Sequence, residues 1–262
     1  MISFCVRSQL CLAVAAALVW SSAPARAELL LSEPFDYPAG PLVTVSGGSW
    51  THHSGTVTGE VQVVNGAAVL SQAFSEDVNR VLAGAPHSSA TQPEPLYAAF
   101  RLRLTALPTG SAGGYFAHFK DAGTTFRARV WAITNGASAG TYRLGLSSAS
   151  GSAAEVVYPL DLTLDRSYVV VTRLSLSTSV AALWIDPSAE DDASVSTPAG
   201  PSAFAATAYA LRQASGIGAA LIDDLRVGTN FSEVLAAPIP PPVFSLQPLS
   251  QVVDEGDRKS VV

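Results

Sequence analysis

The most regular pattern in the chain is an alternation of side chains between Leu96 and Leu104. A two-residue period predicts a β-strand with one buried and one outer face, because successive side chains of a strand point to opposite sides. We expect the buried face to carry Ala98, Phe100, Leu102 and Leu104, and the outer face to carry Tyr97, Ala99, Arg101 and Arg103.

The segment from Phe126 to Ile133 repeats this pattern. Its predicted core face consists of Phe126, Ala128, Val130 and Ala132, and its predicted outer face of Arg127, Arg129 and Trp131. If the two strands are neighbours in one sheet, their outer faces merge into a patch of four arginines.

This patch is the candidate ligand-binding surface that the sequence predicts. Arginine donates bidentate hydrogen bonds to carboxylates, and an aromatic ring stacks on the face of a sugar. We therefore expect an anionic or hydroxyl-rich glycan to lie across the patch, unless acids of neighbouring strands pair with the arginines instead. The predicted binding residues are Arg101, Arg103, Arg127, Arg129 and Trp131, with His118 and Tyr142 at the flanks.

Further strands are predicted by short alternating or apolar runs bounded by Gly, Ser, Asn and Pro. They are Glu60–Ser71, Tyr115–Lys120, Thr141–Ser147, Ser167–Leu176, Val180–Asp186 and Ala219–Val227. No stretch shows a sustained 3.6-residue apolar period, so the fold class is predicted to be all-β. The spacing of the strands favours a two-sheet antiparallel sandwich.

Residues 1–27 have the three parts of a secretory signal peptide. Arg7 lies in a short n-region, residues 10–20 form an apolar h-region, and residues 25–27 form a small-x-small exit, so we expect cleavage before Glu28. The apolar run is too short to cross a bilayer core, which requires about 20 residues. The sequence therefore predicts export to the extracellular space or the cell surface, with no membrane span.

Composition narrows the function classes further. The 262 residues are 48% hydrophobic and 14% charged, with a formal net charge of -6. No Lys- or Arg-rich run that could follow a phosphate backbone is present, so nucleic acid is not an expected partner. Both cysteines, Cys5 and Cys11, lie in the predicted signal peptide, so the exported chain is expected to have no disulfide and no thiolate metal site.

The predicted domain organisation has one large unit followed by a linker. Residues 28–235 contain no Pro-rich or charged interruption and are expected to form one domain. Residues 236–242 contain four prolines and predict a stiff, extended linker. Residues 243–262 are too few to bury a core of their own, so we expect them to begin a further domain of a longer parent chain.

Four strings, taken together and in order, carry a resemblance to a known family. They are EPFDYPAGPL (33–42) with Trp50 after it, YFAHFKDAGTTFRARV (115–130), LWIDP (183–187) and IDDLRVGTNF (222–231). The chain resembles the secreted concanavalin A-like, LamG-type jelly-roll modules of large bacterial surface proteins, and residues 244–257 are similar to the first strand of bacterial immunoglobulin-like repeats. The resemblance implies a two-sheet jelly roll that binds a cell-surface glycan or other polysaccharide, or that acts as a structural spacer. Some relatives are glycoside hydrolases or polysaccharide lyases.

The residues favour binding over catalysis, and no catalytic residue is predicted. A retaining glycosidase needs two carboxylates about 5 Å apart, and the E-x-D-x-x-E string of the glucanase-like branch is absent. A lyase of the alginate-lyase type would use Arg or Gln to neutralise a uronate carboxylate and His or Tyr as the base. The Q-I-H and YFKxGxYNQ-like strings of that family are absent, although the chain has candidates for these roles: His118, Lys120, Arg101, Arg103, Arg127, Arg129 and Tyr142.

Calcium is the one predicted cofactor. Jelly-roll sugar modules often fix the first strand to the last with a hard cation that oxygen ligands hold. The resemblance implies Asp36, Asp223 and Asp224 as the ligands, since they lie in the opening and closing strings. The alternative is that Asp223 and Asp224 only hydrogen-bond a turn.

Overall fold

The computed structural model describes residues 28–92, 95–149, 151–200 and 204–235. The predicted signal peptide, the Pro-rich linker and the immunoglobulin-like segment lie outside the described residues. Within the described ranges the chain forms seventeen strands and two short helices.

The elements follow in chain order. They are β1 (Leu29–Glu33), β2 (Gly40–Pro41), α1 (Leu42–Val45), β3 (Thr51–Ser54), β4 (Gln62–Val64), β5 (Ala67–Ser71), β6 (Asp77–Val81), β7 (Leu96–Ala106), β8 (Gly114–Lys120), β9 (Phe126–Ile133), β10 (Thr141–Ser147), β11 (Val156–Val157), β12 (Leu162–Thr163), β13 (Tyr168–Leu174), β14 (Ala181–Ile185), β15 (Val195–Ser196), β16 (Ala208–Arg212), β17 (Ala219–Gly228) and α2 (Phe231–Leu235). Among the residues described, no helix is long and apolar enough to span a bilayer.

The strands form two antiparallel sheets with a shared core between them. Sheet A has the order β15-β14-β13-β7-β17-β5-β4-β2, and β1 also pairs with β17. Sheet B has the order β11-β10-β9-β8-β16-β6-β3, and β12 also pairs with β10. The all-β, two-sheet antiparallel jelly-roll sandwich predicted from the sequence is confirmed.

The apolar core fills the space between the two sheets. In β7, Phe100 and Leu102 belong to this core, whereas Arg101 and Arg103 are exposed on the outer face of sheet A. The alternation predicted for this strand is confirmed. Because the described domain contains no cysteine, apolar burial of this kind is its main source of stability.

The strand β9 departs from the predicted alternation near its start. Ala128 has a φ of 49°, and the pairing of β8 with β9 shifts register twice. Such β-bulges re-aim the side chains around them. The prediction that Phe126 lies in the core is therefore wrong, and its ring instead contacts the rings of His53, Tyr115 and His118.

The segment predicted as one strand from Glu60 to Ser71 contains two strands, β4 and β5. Asn65 and Gly66 separate them with φ values of 50° and 76°. An Asn-Gly pair at positive φ is typical of a two-residue hairpin turn. The sequence analysis missed this turn, although the Asn-Gly pair between two apolar runs is itself a hairpin signal.

A small second apolar cluster covers part of the outer face of sheet A. The helix α2 places Phe231 and Val234 against Tyr97 and Trp184. The ring centroid of Phe231 lies 5.9 Å from that of Tyr97 and 5.3 Å from that of Trp184. This part of the outer face is therefore closed to a ligand.

Candidate ligand-binding site

The predicted patch of four arginines does not exist in this fold. The strand β7 lies in sheet A between β13 and β17, whereas β9 lies in sheet B between β8 and β10. The pair Arg101 and Arg103 therefore belongs to a different sheet from the pair Arg127 and Arg129. The prediction is wrong because the alternation along a strand does not reveal which sheet the strand joins.

On sheet A, Arg101 and Arg103 line shallow depressions of the outer face. A depression of about 420 Å³ lies beside both arginines, and one of about 340 Å³ lies between Arg101 and α2. The Nε atom of Arg101 is 2.8 Å from Oδ2 of Asp224, so this arginine is paired with an acid. The described residues that line the two depressions include no Tyr or Trp ring on which a sugar could stack.

On sheet B, Arg127 has different surroundings from Arg129. Its guanidinium lies over the ring of Phe204 at 5.3 Å, and its Nε is 3.4 Å from the hydroxyl of Ser179. Phe204 belongs to the core between the sheets. Arg127 is therefore a buried residue at the margin of the core, and its predicted place on a ligand-binding face is wrong.

The outer face of sheet B carries a group of rings and guanidinium groups that we call the β8–β9 cluster. His118 lies opposite Ala210, whose chain neighbours Tyr209 and Leu211 are in the core, so the side chain of His118 is on the outer face. The cluster consists of His53 from β3, Tyr115 and His118 from β8, Phe126, Arg129 and Trp131 from β9, and Arg212 from β16.

Tyr115 lies at the centre of the cluster. The Cζ atoms of Arg212 and Arg129 are 4.3 Å and 5.0 Å from the centroid of its ring. The ring of Trp131 is 5.3 Å away, centroid to centroid. The negative face of an aromatic ring attracts cations, so this arrangement gathers positive charge on one face of an acidic chain.

His118 is fully buried among the rings of the cluster. Its ring centroid lies 4.3 Å from that of Phe126 and 5.4 Å from that of Tyr115. Burial, assisted by the nearby charges of His53 and Arg212, holds the pKa of His118 well below its usual range. Burial likewise lowers the pKa of His53 to about 4. Two neutral imidazoles, each with one donor and one acceptor, therefore form part of the site at pH 7.

Arg129 has no carboxylate partner among the described residues. Its guanidinium donates to the carbonyl oxygen of Gly151 at 3.0 Å and to that of Ala149. Burial lowers the pKa of Arg129, yet an arginine side chain stays charged in a protein. A buried cation of this kind attracts an anionic group that can approach it.

Polar atoms without partners are concentrated at this cluster and beside it. Nine buried side-chain nitrogen and oxygen atoms of the described residues lack a hydrogen bond. Five of them belong to this face: Nε2 of His53, Oδ1 of Asp77, both ring nitrogens of His118, and Nε of Arg129. Asp77 lies opposite Arg212 in the sheet. An unsatisfied buried polar group costs about 1–3 kcal/mol, so a molecule that hydrogen-bonds these atoms would stabilise this face.

Two predicted binding residues are buried and cannot contact a ligand. Trp131 is on the predicted face but only 3% exposed, and its Nε1 donates a hydrogen bond of 2.7 Å to the hydroxyl of Ser147. It therefore supports Tyr115 and cannot itself stack on a ligand. Tyr142 is fully buried in the core between the sheets, so its predicted place at the flank of the site is wrong.

The sequence analysis missed four members of the cluster: His53, Tyr115, Phe126 and Arg212. The bulge at Ala128 changes the direction of the Phe126 side chain, and no pattern in the local sequence predicts this bulge. The strand β16 did carry a signal, since Ala208, Ala210 and Arg212 alternate with Tyr209 and Leu211, but its alanines are too small to mark an apolar or a polar face.

The residues predicted to bind calcium lie near one another but do not form a ligand group. Burial raises the pKa of Asp223, and the carboxylates of Asp224 and Asp36 raise it further. Asp224 is already paired with Arg101. Among the residues described, no group of three or more His, Cys, Asp or Glu side chains could hold a metal ion. Calcium at this position stays a prediction.

No family model matches the chain, and no curated protein matches it. Solved structures do. The CBM2 module of the Dit protein of Lactobacillus casei BL23 phage J-1 has a TM-score of 0.49 and 13% identity over 78% of this chain and 96% of its own. The Emp47p carbohydrate recognition domain has a TM-score of 0.48 and 10% identity, over 80% of this chain and 99% of its own. The alginate lyase AlgAT5 of polysaccharide lyase family 7 has a TM-score of 0.46 and 12% identity, over 76% of this chain and 93% of its own. These likenesses have TM-scores below 0.5, so the two-sheet antiparallel sandwich rests on the strand order itself.

Proposed function

We propose that the chain binds a polysaccharide on the outer face of sheet B, through the β8–β9 cluster. The observation that carries this proposal is the coincidence, on one sheet face, of partly exposed rings with buried polar atoms that lack partners. Such a mixture of apolar walls and a few convergent polar groups is typical of a binding site.

A sugar fits both parts of this surface. A pyranose ring has an apolar face that stacks on an aromatic ring, and hydroxyl groups at its edge that both donate and accept hydrogen bonds. Tyr115 and Phe126 are partly exposed and offer the rings. Arg212 is partly exposed and offers hydrogen-bond donors at the surface, whereas His118, Arg129 and Asp77 are buried.

The charge of the face favours acidic sugars over neutral ones. Arg129 and Arg212 flank Tyr115, and Lys120 lies on the same face of β8, opposite Ala208. Asp77 is the acid nearest to Arg212, at 3.8 Å from its Nε. Burial raises the pKa of Asp77. A carboxylate on the sugar would replace it with a charge-assisted hydrogen bond.

Affinity electrophoresis tests the proposal. The exported chain is run through gels that contain alginate or polygalacturonate as acidic polymers, or laminarin or xylan as neutral ones. We expect retardation in the acidic gels, and its loss in Tyr115→Ala and Arg212→Gln at a temperature at which circular dichroism shows that both variants are folded. Arg103→Ala, on the outer face of sheet A, is the matched control and should migrate like the original chain. Equal migration of all variants in every gel would refute the proposal.

A second candidate function is lyase chemistry at the same cluster. It is favoured by one observation: the neutral His118 lies beside Tyr115, and Arg129 lies over that tyrosine. In a β-elimination a base removes the proton from the carbon next to the uronate carboxylate, while a cation neutralises that carboxylate. The freed electron pair forms a C=C bond, the C–O bond to the glycosidic oxygen breaks, and that oxygen takes up a proton. The ultraviolet absorbance of unsaturated uronates after incubation with alginate or polygalacturonate tests it. If the gels retard the chain but no new absorbance appears, the lyase function is refuted and only the binding function remains.

We also propose that this domain is a secreted module of a larger surface protein. The signal-like segment 1–27 and the immunoglobulin-like segment 244–257 support this proposal, as does the resemblance to LamG-type modules. Mass spectrometry of the exported protein tests the first part, with a mature species that begins at Glu28 as the expected result. A species that retains Cys5 and Cys11 would contradict it.

A further inference from the structure

Phe74 is the one exposed aromatic ring among the Phe, Tyr and Trp residues that the structure describes. Its side chain is 43% exposed, in the segment that joins β5 to β6. A single exposed apolar side chain is common on a protein surface, so the contacts of this ring decide whether it has a role.

The ring of Phe74 rests on the backbone of Gly59. A Cβ atom at Gly59 would lie 2.0 Å from Cδ1 of Phe74, and Gly59 has a φ of 74°. Only glycine permits both the contact and the backbone conformation. One side of the ring is therefore packed on main chain, while the side chain as a whole remains largely open to solvent.

Partly buried hydrogen bonds fix the two loops that meet at this contact. The side-chain amide of Gln213 donates to the carbonyl of Gly59 at 2.7 Å, and its oxygen accepts from the backbone N–H of Ser71 at 3.0 Å. The backbone N–H of Gln213 donates to the carbonyl of Glu76 at 3.1 Å. Gln213 is itself buried. The ring of Phe74 is thus held by a fixed support.

Two hydroxyl groups lie near this position in the chain, because Ser75 follows Phe74 and hydrogen-bonds Thr56. The backbone N–H of Thr56 donates to the hydroxyl of Ser75 at 3.3 Å, and the two side-chain hydroxyls are 3.2 Å apart. Both residues are exposed. An aromatic platform next to exposed hydroxyls matches the amphipathic character of a sugar ring.

Phe74 lies three residues before Asp77, at the end of sheet B where β6 begins and β16 ends. Asp77 and Arg212 are opposite each other at this end, and the next residues of their chains, Glu76 and Gln213, share the backbone hydrogen bond. Adjacent strands are about 4.8 Å apart. A polymer that crosses the strands β8, β16 and β6 therefore passes from Tyr115 over Arg212 and Asp77 toward Phe74.

We infer that Phe74 is a distal subsite of the polysaccharide site, which stacks on the apolar face of a pyranose ring several units away from the one at Tyr115. This inference rests on the proposed function. It predicts that Phe74 matters for long ligands and not for short ones, because a short oligosaccharide at Tyr115 does not reach the platform.

The test measures binding of a di- to decasaccharide series from alginate or polygalacturonate to the exported chain. Phe74→Ala should weaken binding of the longest oligosaccharides about three- to tenfold, the range of one aromatic stacking contact, and leave the shortest unchanged. Val81→Ala, which removes an exposed apolar side chain elsewhere on β6, is the control. Phe74→Trp should retain binding and add an exposed indole, since Trp50, Trp131 and Trp184 are all buried. Its fluorescence should change on addition of the long oligosaccharides.

The outcomes separate the inference from the proposed function. If the original chain binds no oligosaccharide of the series and no polymer in the gels, the proposed function and the Phe74 subsite are both refuted. If it binds long oligosaccharides and Phe74→Ala binds them equally well, only the subsite is refuted. An unchanged fluorescence of Phe74→Trp at saturating ligand would refute it independently.

Discussion

The indole Nε1 of Trp50 donates a hydrogen bond of 2.8 Å to Oε2 of Glu33, and both side chains are buried. The same carboxylate accepts from the hydroxyl of Tyr37 at 2.9 Å and from Arg80, and its other oxygen accepts from the backbone N–H of Phe35 at 2.7 Å. One acidic side chain thus joins the first strand to the turn after it, to the segment before β3 and to β6. The opening string of the sequence is held by this network.

Glu33→Gln should destabilise the fold strongly. The substitution removes the charge that Arg80 and the surrounding donors require, and hydrogen bonds to a charged group contribute about 1.5–3 kcal/mol. Tyr37→Phe is the matched control, because it removes a single hydroxyl and should cost about 1 kcal/mol. Urea unfolding of both variants measures the difference. Equal effects would show that the carboxylate is not the centre of the network.

This network illustrates what the sequence could and could not predict. The string around Glu33 carries a family resemblance, and that resemblance leads to the correct fold class. The role of Glu33 depends on Trp50 and Arg80, which are distant in the chain. No local pattern joins these residues, since only the folded topology brings them together.

The candidate site has the same division between local and non-local information. The alternation in β9 placed Arg129 and Trp131 correctly on one outer face, because strand periodicity is a local property. It did not reveal that β7 joins the other sheet. Nor did it reveal that a bulge at Ala128 turns Phe126 toward His118. Strand partners and bulges depend on contacts between distant segments, and these two features decide where the site lies.

His53 and His118 should make the fold labile to acid. Both have folded-state pKa values lowered from the ordinary 6.5, that of His53 to about 4. The unfolded chain takes up these protons as the pH falls below 6.5, while the folded chain does not. Their stabilising contribution is therefore complete above pH 6.5 and is lost toward about pH 4 for His53, and at still lower pH for His118.

Melting temperatures between pH 7 and pH 4 measure this effect. The original chain should lose stability more steeply than His53→Gln, which takes up no proton in this range. Asp77 and Asp223 act in the opposite direction, because their pKa values are raised and their protonation favours the folded state, but they are the same in both chains. Arg103→Gln serves as the non-titrating control. Parallel curves for all three chains would contradict the prediction.

The calcium prediction can be tested against the ion pair of Arg101. This arginine is paired with Asp224 at 2.8 Å, and its side chain is 52% exposed. Such a pair contributes little by itself, between about 0 and 1 kcal/mol, but it gives Asp224 a partner that a cation would have to displace. If the predicted cation is bound, EDTA should lower the melting temperature of the original chain and added calcium should restore it. An unchanged melting temperature with EDTA would refute the calcium prediction and leave the pair with Arg101 as the role of Asp224.

The helix α2 should be the last element that the domain needs. Phe231 is buried between Tyr97 and Trp184, and replacement of a buried Phe by Ala costs about 3–5 kcal/mol. A chain that ends after Ala237 keeps this contact, whereas the residues it loses are too few to build a core. Its free energy of unfolding should match that of the full chain within about 0.5 kcal/mol, the range for changes that touch no packed feature, while Phe231→Ala should unfold at a much lower urea concentration. A large loss on truncation would mean that the tail docks on the sandwich and belongs to its structural unit.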